Sequence, residues 1–261
     1  MFHGPGPTFF ELARQVLSST EKGYDLLAPK FDLTSFRTPD RLIESALAMF
    51  GEVDAALDVC CGTGAGIRRL RTRCRQQVVG VDFSTGMIAE ARRRTADAPG
   101  HTPIHLVRAD ARHLPFVRVF DLAVLFGALG HFVGVDQDLL VASIARALRP
   151  GGRFAFVSST RPPILSARFW LAHGFNGAMR VRNALVRPPF VMYYLTFLVP
   201  EVQSLLTRHR FSVEVKELPG RSLLVIGTLE ADSLLFYGSP LRERSVYSTP
   251  DIMAQRSVAF V

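Results

Sequence analysis

The segment LDVCCGTGAG, residues 57–66, leaves an apolar run through glycines into a stretch of helical character. Glycine at positions 62, 64 and 66 lets the backbone take φ > 0 and come close to a ligand. The helix that follows offers N–H groups with no partner inside the helix. Asp82 lies 20 residues after Gly62. That separation suits an acid at the end of the next strand, whose carboxylate accepts hydrogen bonds from the two hydroxyls of a ribose. The spacing is not the dinucleotide fingerprint G-x-G-x-x-G, because Ile67 stands where its third glycine would fall. Asp58 sits on the apolar run itself, where it either caps the turn or reaches a polar group of the ligand. Asp110 closes a later run and is placed to cap the short segment before Leu114.

These residues need a frame that brings them to one edge. From Ala55 onward, short apolar runs (AALDVC, VVGVD, IHLVRAD, FDLAVLF, RFAFVS) alternate with longer charged segments. Each run reads as a strand buried on both faces, and strand–helix alternation predicts a parallel sheet with helices on both sides. In such a sheet ligands sit beyond the carboxyl ends of the strands, where Asp82, Asp110 and the loop from Gly127 all fall. Upstream, helices are predicted over residues 9–18 and after Pro39, joined by a mixed aromatic and acidic connector, GYDLLAPKFD. Downstream of the fifth run, residues 159–199 hold arginines 161, 168, 180, 182 and 187 and the only tryptophan, Trp170, but no Asp or Glu. This segment is predicted to be mostly helical. A further helix over residues 200–209 and two strands, FSVEVKEL and SLLVIGTLE, follow.

The chain has 261 residues, 48% of them hydrophobic, and a formal net charge of +8. Such a composition fills a core and excludes disorder of the whole chain. Its charge favours anionic partners without choosing among them. Cys60, Cys61 and Cys74 have no ligand-like spacing, which fits a reduced, cytoplasmic setting. The N-terminus lacks the pattern of a secretory signal.

The ordered set of motifs resembles the class I S-adenosylmethionine-dependent methyltransferases, nearest the ubiquinone/menaquinone type. LDVCCGTGAG looks like their first motif, usually written with glycine where Cys60 stands. GVDFSTGMI, RADARHLPF, FDLAVLFGALGHF and ARALRPGGRFAFVS resemble the pieces that follow, over residues 24–230 in all. The resemblance implies an α/β fold with a seven-stranded, doubly wound mixed sheet in the order 3-2-1-4-5-7-6, its last strand antiparallel. It also implies a helical cap segment (1–50), a catalytic domain (51–230) with an inserted substrate cap (159–199), and a tail (231–261). It places contacts to S-adenosylmethionine at Tyr24, Asp58, Gly62, Gly64, Asp82, Phe83, Met87, Asp110, Ala111, Phe126 and Gly127. Among these, Asp82 would hold the ribose, Asp110 the adenine amino group, and Asp58 the ammonium group through water or backbone. Phe83 and Met87 either flank the adenine or pack in the core. Tyr24 and Asp25 resemble a tyrosine–acid pair that closes over the cofactor, although the second such pair here is Phe31-Asp32. His131, just past the fourth strand, is either a base for the acceptor's proton or a residue that shapes the site.

Several motifs are missing. The loop after the fourth strand lacks the Asn/Asp-Pro-Pro-aromatic signature of amino-methylating nucleic-acid enzymes; Pro188-Pro189-Phe190 lies in the insertion behind Arg187. Neither a Pro-Cys nucleophile nor a set of metal-binding acids is evident. These absences disfavour nucleic acid and leave metal-independent transfer to a small apolar acceptor such as a quinone, lipid or secondary metabolite. A nucleic-acid or protein methyltransferase, and a cofactor-binding module without catalysis, stand as alternatives. The arginine-rich insertion is either a solvated face or a surface for something both apolar and anionic, such as an acidic membrane met by Arg180, Arg182 and Arg187.

Overall fold

The computed structural model describes residues 6–34 and 36–231; the predicted tail beyond them lies outside the described residues. Seven strands form one sheet: β1 Val53–Val59, β2 Cys74–Asp82, β3 Ile104–Arg108, β4 Phe120–Leu125, β5 Leu148–Ser158, β6 Phe211–Leu218 and β7 Ser222–Leu229. Their order is β3-β2-β1-β4-β5-β7-β6. β7 runs antiparallel to both of its neighbours, while β1 to β5 are parallel. The predicted fold and strand order are therefore those observed.

Alternation along β1 shows how the sheet is held. Ala55, Leu57 and Val59 point into one core layer with Phe154, Phe156 and Leu206. Ala56 points into the opposite layer with Ile43, Leu47, Ile67 and Leu70. Both layers are needed because central parallel strands bury both faces. Each large side chain so buried contributes roughly 1.5–3 kcal/mol. Helices α3 (Asp40–Leu47), α4 (Ala65–Leu70), α5 (Thr85–Thr95), α6 (Val135–Ala147) and α8 (Glu201–Arg208) surround the sheet, with α1 (Phe9–Leu17), α2 (Thr20–Leu27) and α7 (Ala167–Leu185) completing the helices. Among the described residues no helix is long and apolar enough to cross a membrane.

Three sequence expectations need correction. The connector, to which no element was assigned, folds into most of α2 and a 3-10 turn, Ala28–Leu33. Ser19 caps α2 by accepting from Lys22 N at 3.1 Å. Gly23 hides the helical pattern because it marks a close approach, where an added Cβ would lie 2.8 Å from both Gln15 O and the Phe190 ring. The insertion contributes one helix, α7, and residues 187–199 carry neither helix nor strand; Pro188 and Pro189 lack the N–H groups to continue it. Arg182 does not face outward as expected. Its guanidinium turns in and donates to Ser18 O at 2.8 Å and Pro188 O at 2.9 Å, carbonyls that the ends of α1 and α7 leave open.

Candidate active site

The strand ends β1, β2 and β4 converge on a cavity of about 220 Å3. Its floor is the loop from β1 to α4. Cys60 (φ 55°), Gly62 (φ 52°) and Gly64 (φ 85°) all take left-handed backbone there, so the chain turns sharply and then starts α4. Cys60 occupies that conformation without being glycine, at a cost of about 1–2 kcal/mol. Gly66 lets α4 lie against Asp58, because a Cβ there would sit 2.4 Å from Asp58 Oδ2.

The two buried carboxylates of the floor differ in how well they are satisfied. Asp82 accepts from Gly62 N at 2.9 Å through Oδ2 and from Ser84 N at 3.0 Å through Oδ1. Burial still pushes its carboxyl up to about 6. Asp58 is 2% exposed, and its Oδ2 has no hydrogen-bond partner. Burial, reinforced by the charge of Asp82, pushes Asp58 up to about 8 although Ile67 N–H favours the ionised form. A buried orphan acceptor is costly unless a donor arrives.

At the end of β3, Asp110 accepts from Arg112 N and caps the following 3-10 turn. The Arg112 guanidinium outweighs partial burial and holds its carboxyl below the usual range. Arg112 also reaches Asp136 at 3.0 Å across the cavity mouth. Phe83, Met87, Ala111, Phe126 and Gly127 line the same cavity. Gly64 does not. It faces α5, where an added Cβ would lie 2.7 Å from Thr95 Cγ2.

A roof from distant segments closes over this floor. The Tyr24 hydroxyl lies 2.8 Å from His131 Nε2, and the Tyr24 ring stacks near Phe190 with centroids 6.1 Å apart. His131 Nδ1 is bonded to the carbonyl of Val191. Since a carbonyl only accepts, Nδ1 carries the hydrogen and Nε2 accepts from the tyrosine. Desolvation lowers the imidazole pKa against the pull of Val191, which keeps the ring neutral, and raises that of the Tyr24 phenol. The acids of the N-terminal segment act as fasteners. Asp25 Oδ1 accepts from Ser84 Oγ at 2.6 Å and Gly86 N at 2.8 Å. Asp32, its side chain fully buried, accepts from Thr63 Oγ1 at 2.5 Å and pairs with Arg94 at 2.9 Å and Arg37 at 3.3 Å.

Eleven of the twelve residues expected from sequence thus surround one cavity. Among the other residues of its wall, sequence reading missed Thr20, Arg37, Thr38, Asp136 and Val191. Arg37 lies just before the helix predicted after Pro39, within the N-terminal cap segment. Thr38 and Val191 reach the site solely through tertiary packing.

A seven-stranded sheet in this order, with a glycine turn and paired carboxylates at its strand ends, defines a class I methyltransferase architecture. Residues 56–152 match a family described as a methyltransferase domain. A ubiquinone/menaquinone biosynthesis C-methyltransferase from Desulfotalea psychrophila is 31% identical over 188 residues, covering 69% of this chain and 66% of that one. A demethylmenaquinone methyltransferase from Symbiobacterium thermophilum is 35% identical over 112 residues, 42% of this chain; the chain spans only 44% of that relative's length. The fold also superposes on an O-methyltransferase family protein from Burkholderia thailandensis with a TM-score of 0.63 at 15% identity, covering 86% of this chain and 68% of that one. Residues 56–152 thus form a methyltransferase domain, and the chain is similar to the class I S-adenosylmethionine-dependent methyltransferases.

S-adenosylmethionine is the cofactor of that class, and the residues present fit it. The orphaned Asp58 Oδ2 awaits a donor such as an ammonium group. Asp82 is ordered by two backbone N–H groups and keeps lone pairs for a diol.

Proposed function

We propose that this protein transfers a methyl group from S-adenosylmethionine to a small apolar acceptor of the quinone, lipid or secondary-metabolite kind. The observation that carries this reading is the single cavity that joins the carboxylate floor to the neutral Tyr24–His131 pair under an aromatic roof. Two relatives are named for methylation in quinone biosynthesis, which supports a ring of that kind as acceptor.

The cofactor, when bound, supplies a methyl group already activated by a sulfonium. The protein's part is then to align the acceptor and to keep water out. In this reading Asp82 grips the ribose, Asp58 meets the ammonium group, Asp110 takes the adenine amino group, and Phe83 and Met87 flank the ring. Ala111, Phe126 and Gly127 shape the wall, and Gly62 admits the backbone. Tyr24 and His131 handle the acceptor's proton. Because the Tyr24 hydroxyl already donates to Nε2, a proton leaving the acceptor enters at the tyrosine oxygen while the tyrosine's own proton moves to Nε2. Val191 O steadies the imidazolium so formed.

The test is incubation with methyl-labelled S-adenosylmethionine and a lipid extract of the host, followed by mass spectrometry of the label. Label in an extractable apolar product supports the reading. Label confined to RNA or protein, or none despite cofactor binding, overturns it.

A further inference from the structure

The catalytic reading uses the inner side of the inserted segment and leaves its outer side unexplained. Helix α7 is 19 residues long, and only Met179 along it is buried. Trp170, Leu171, Gly174, Ala178, Val181 and Leu185 recur at the three- and four-residue spacing of one helix face. That face meets solvent: Leu171 is 72% exposed and Leu185 79%. Just before the helix, Leu165 is 97% exposed. Next to the end of α7, held there by the Arg182 bond to Ser18 O, α1 exposes Leu17 as well as Phe9 and Phe10. An apolar stripe turned outward on a surface helix is the inverse of what a soluble core needs.

The charges beside the stripe say what covers it. No Asp or Glu occurs between residues 159 and 199. Arg168, Arg180 and Arg187 are exposed and form no ion pair among the described residues, and Arg168 and Arg180 flank the stripe on opposite sides. On the Arg180 side a second cavity, about 410 Å3, is lined by Arg161, His173, Arg180 and the two tyrosines 193 and 194. Arg161 there is paired with Glu201 at 2.7 Å, which leaves Arg180 as its unpaired cation. A second copy of the chain is a poor occupant, because two such faces would set arginine against arginine. Nucleic acid would answer the arginines and leave tryptophan and leucines uncovered.

We propose that α7 is an interfacial helix that docks this protein on an anionic phospholipid bilayer. Its apolar stripe enters the headgroup boundary, Arg168, Arg180 and Arg187 meet lipid phosphates, and the groove beside Arg180 takes a headgroup. The docking stands independently of which acceptor is methylated.

The experiment uses the full chain with vesicles of phosphatidylcholine alone or mixed with phosphatidylglycerol, read by flotation and by the emission of Trp170, the only tryptophan. Flotation and a blue shift are expected with phosphatidylglycerol and not without it, and both should weaken with salt. Replacing Arg168, Arg180 and Arg187 by Gln should lower partitioning roughly a hundredfold, about fivefold per charge. Leu171→Glu with Val181→Glu should abolish the blue shift while S-adenosylmethionine still raises the melting temperature, which shows that the fold and cofactor site persist. The proposal is overturned if anionic vesicles leave Trp170 unmoved, or if phosphatidylcholine alone binds as well. A blue shift with free phosphate or glycerol phosphate but no flotation overturns it in favour of a soluble anion site. Dimerisation lost in Val181→Glu, without vesicle binding, overturns it in favour of contact between copies. Failure of cofactor binding with vesicle binding intact would strike the methyltransferase reading alone.

Discussion

The floor and the roof of the cavity are built by different means. Floor residues sit at strand ends and are fixed by backbone geometry: Asp82 is held by two main-chain N–H groups, and the loop before α4 turns through left-handed residues. The roof is assembled from segments far apart in the chain and is fixed by single side chains, such as Tyr24 on His131 and Arg182 on Ser18. Strand ends give a rigid grip for a cofactor whose shape does not vary. A roof of side chains can be refitted to another acceptor without disturbing that grip, which is the economy of a site set on a stable sheet.

Substitutions in the two regions should therefore separate chemistry from cofactor binding. The largest effect is expected from His131→Ala, which should lower turnover roughly 10²–10⁴-fold while cofactor affinity by calorimetry stays nearly unchanged. Tyr24→Phe should retain cofactor binding and lose part of the same rate, because the phenol is the proton's first stop. A loss below tenfold in His131→Ala would reduce the histidine to a shaping role and move the division between floor and roof.

Asp82→Ala should do the reverse, weakening S-adenosylmethionine binding by about 1.5–3 kcal/mol through lost charge-assisted bonds. Arg182→Gln, a roof change, should leave that affinity in place. Equal affinity in wild type and Asp82→Ala would relocate the ribose grip.

A smaller, pH-dependent effect tests the orphaned acid. Asp58 is raised to about 8 in the fold from an ordinary value near 4. Its contribution to stability is complete below the unfolded value and is lost as pH rises through 8. The unliganded Asp58→Asn variant should then lose less stability than wild type between pH 6 and 9, by on the order of 2 kcal/mol in denaturant melts. Cofactor binding to wild type should release a proton below pH 8, visible as a dependence of calorimetric heat on the buffer. Parallel melts for the two proteins would mean that Asp58 is already satisfied.

The same division explains what the sequence made legible. β1, β2 and β4 announced themselves because a strand buried on both faces must be a continuous apolar run, and Gly62 and Asp82 close two such runs; β3, before Asp110, was read the same way but is an edge strand with His105 and Arg108 exposed. The roof gave weaker signals. Gly23 masked α2, since a glycine needed for close contact looks like a helix breaker. The inward turn of Arg182 depended on a carbonyl left free by a helix end 164 residues away, a relation that no local pattern encodes. That Gly64 also packs against Thr95 of α5 was not legible, because motif glycines look alike.

The fasteners of the N-terminal segment have a consequence for the order in which the protein is made. Thr20 Oγ1 accepts from Val191 N, a partner 171 residues later, and Tyr24 waits 107 residues for His131. Ribosomes add roughly 5–20 residues per second, so these first helices emerge some 10–30 s before the full roof exists. During that interval Thr20 lacks Val191 and, for most of it, Tyr24 lacks His131, whereas Asp25 and Asp32 meet Ser84, Gly86, Thr63 and Arg94 within 62 residues. These helices are thus seated in two stages, first on the floor through Asp25 and Asp32 and last on the roof through Thr20 and Tyr24, and the site is sealed only when synthesis of the sheet is nearly complete.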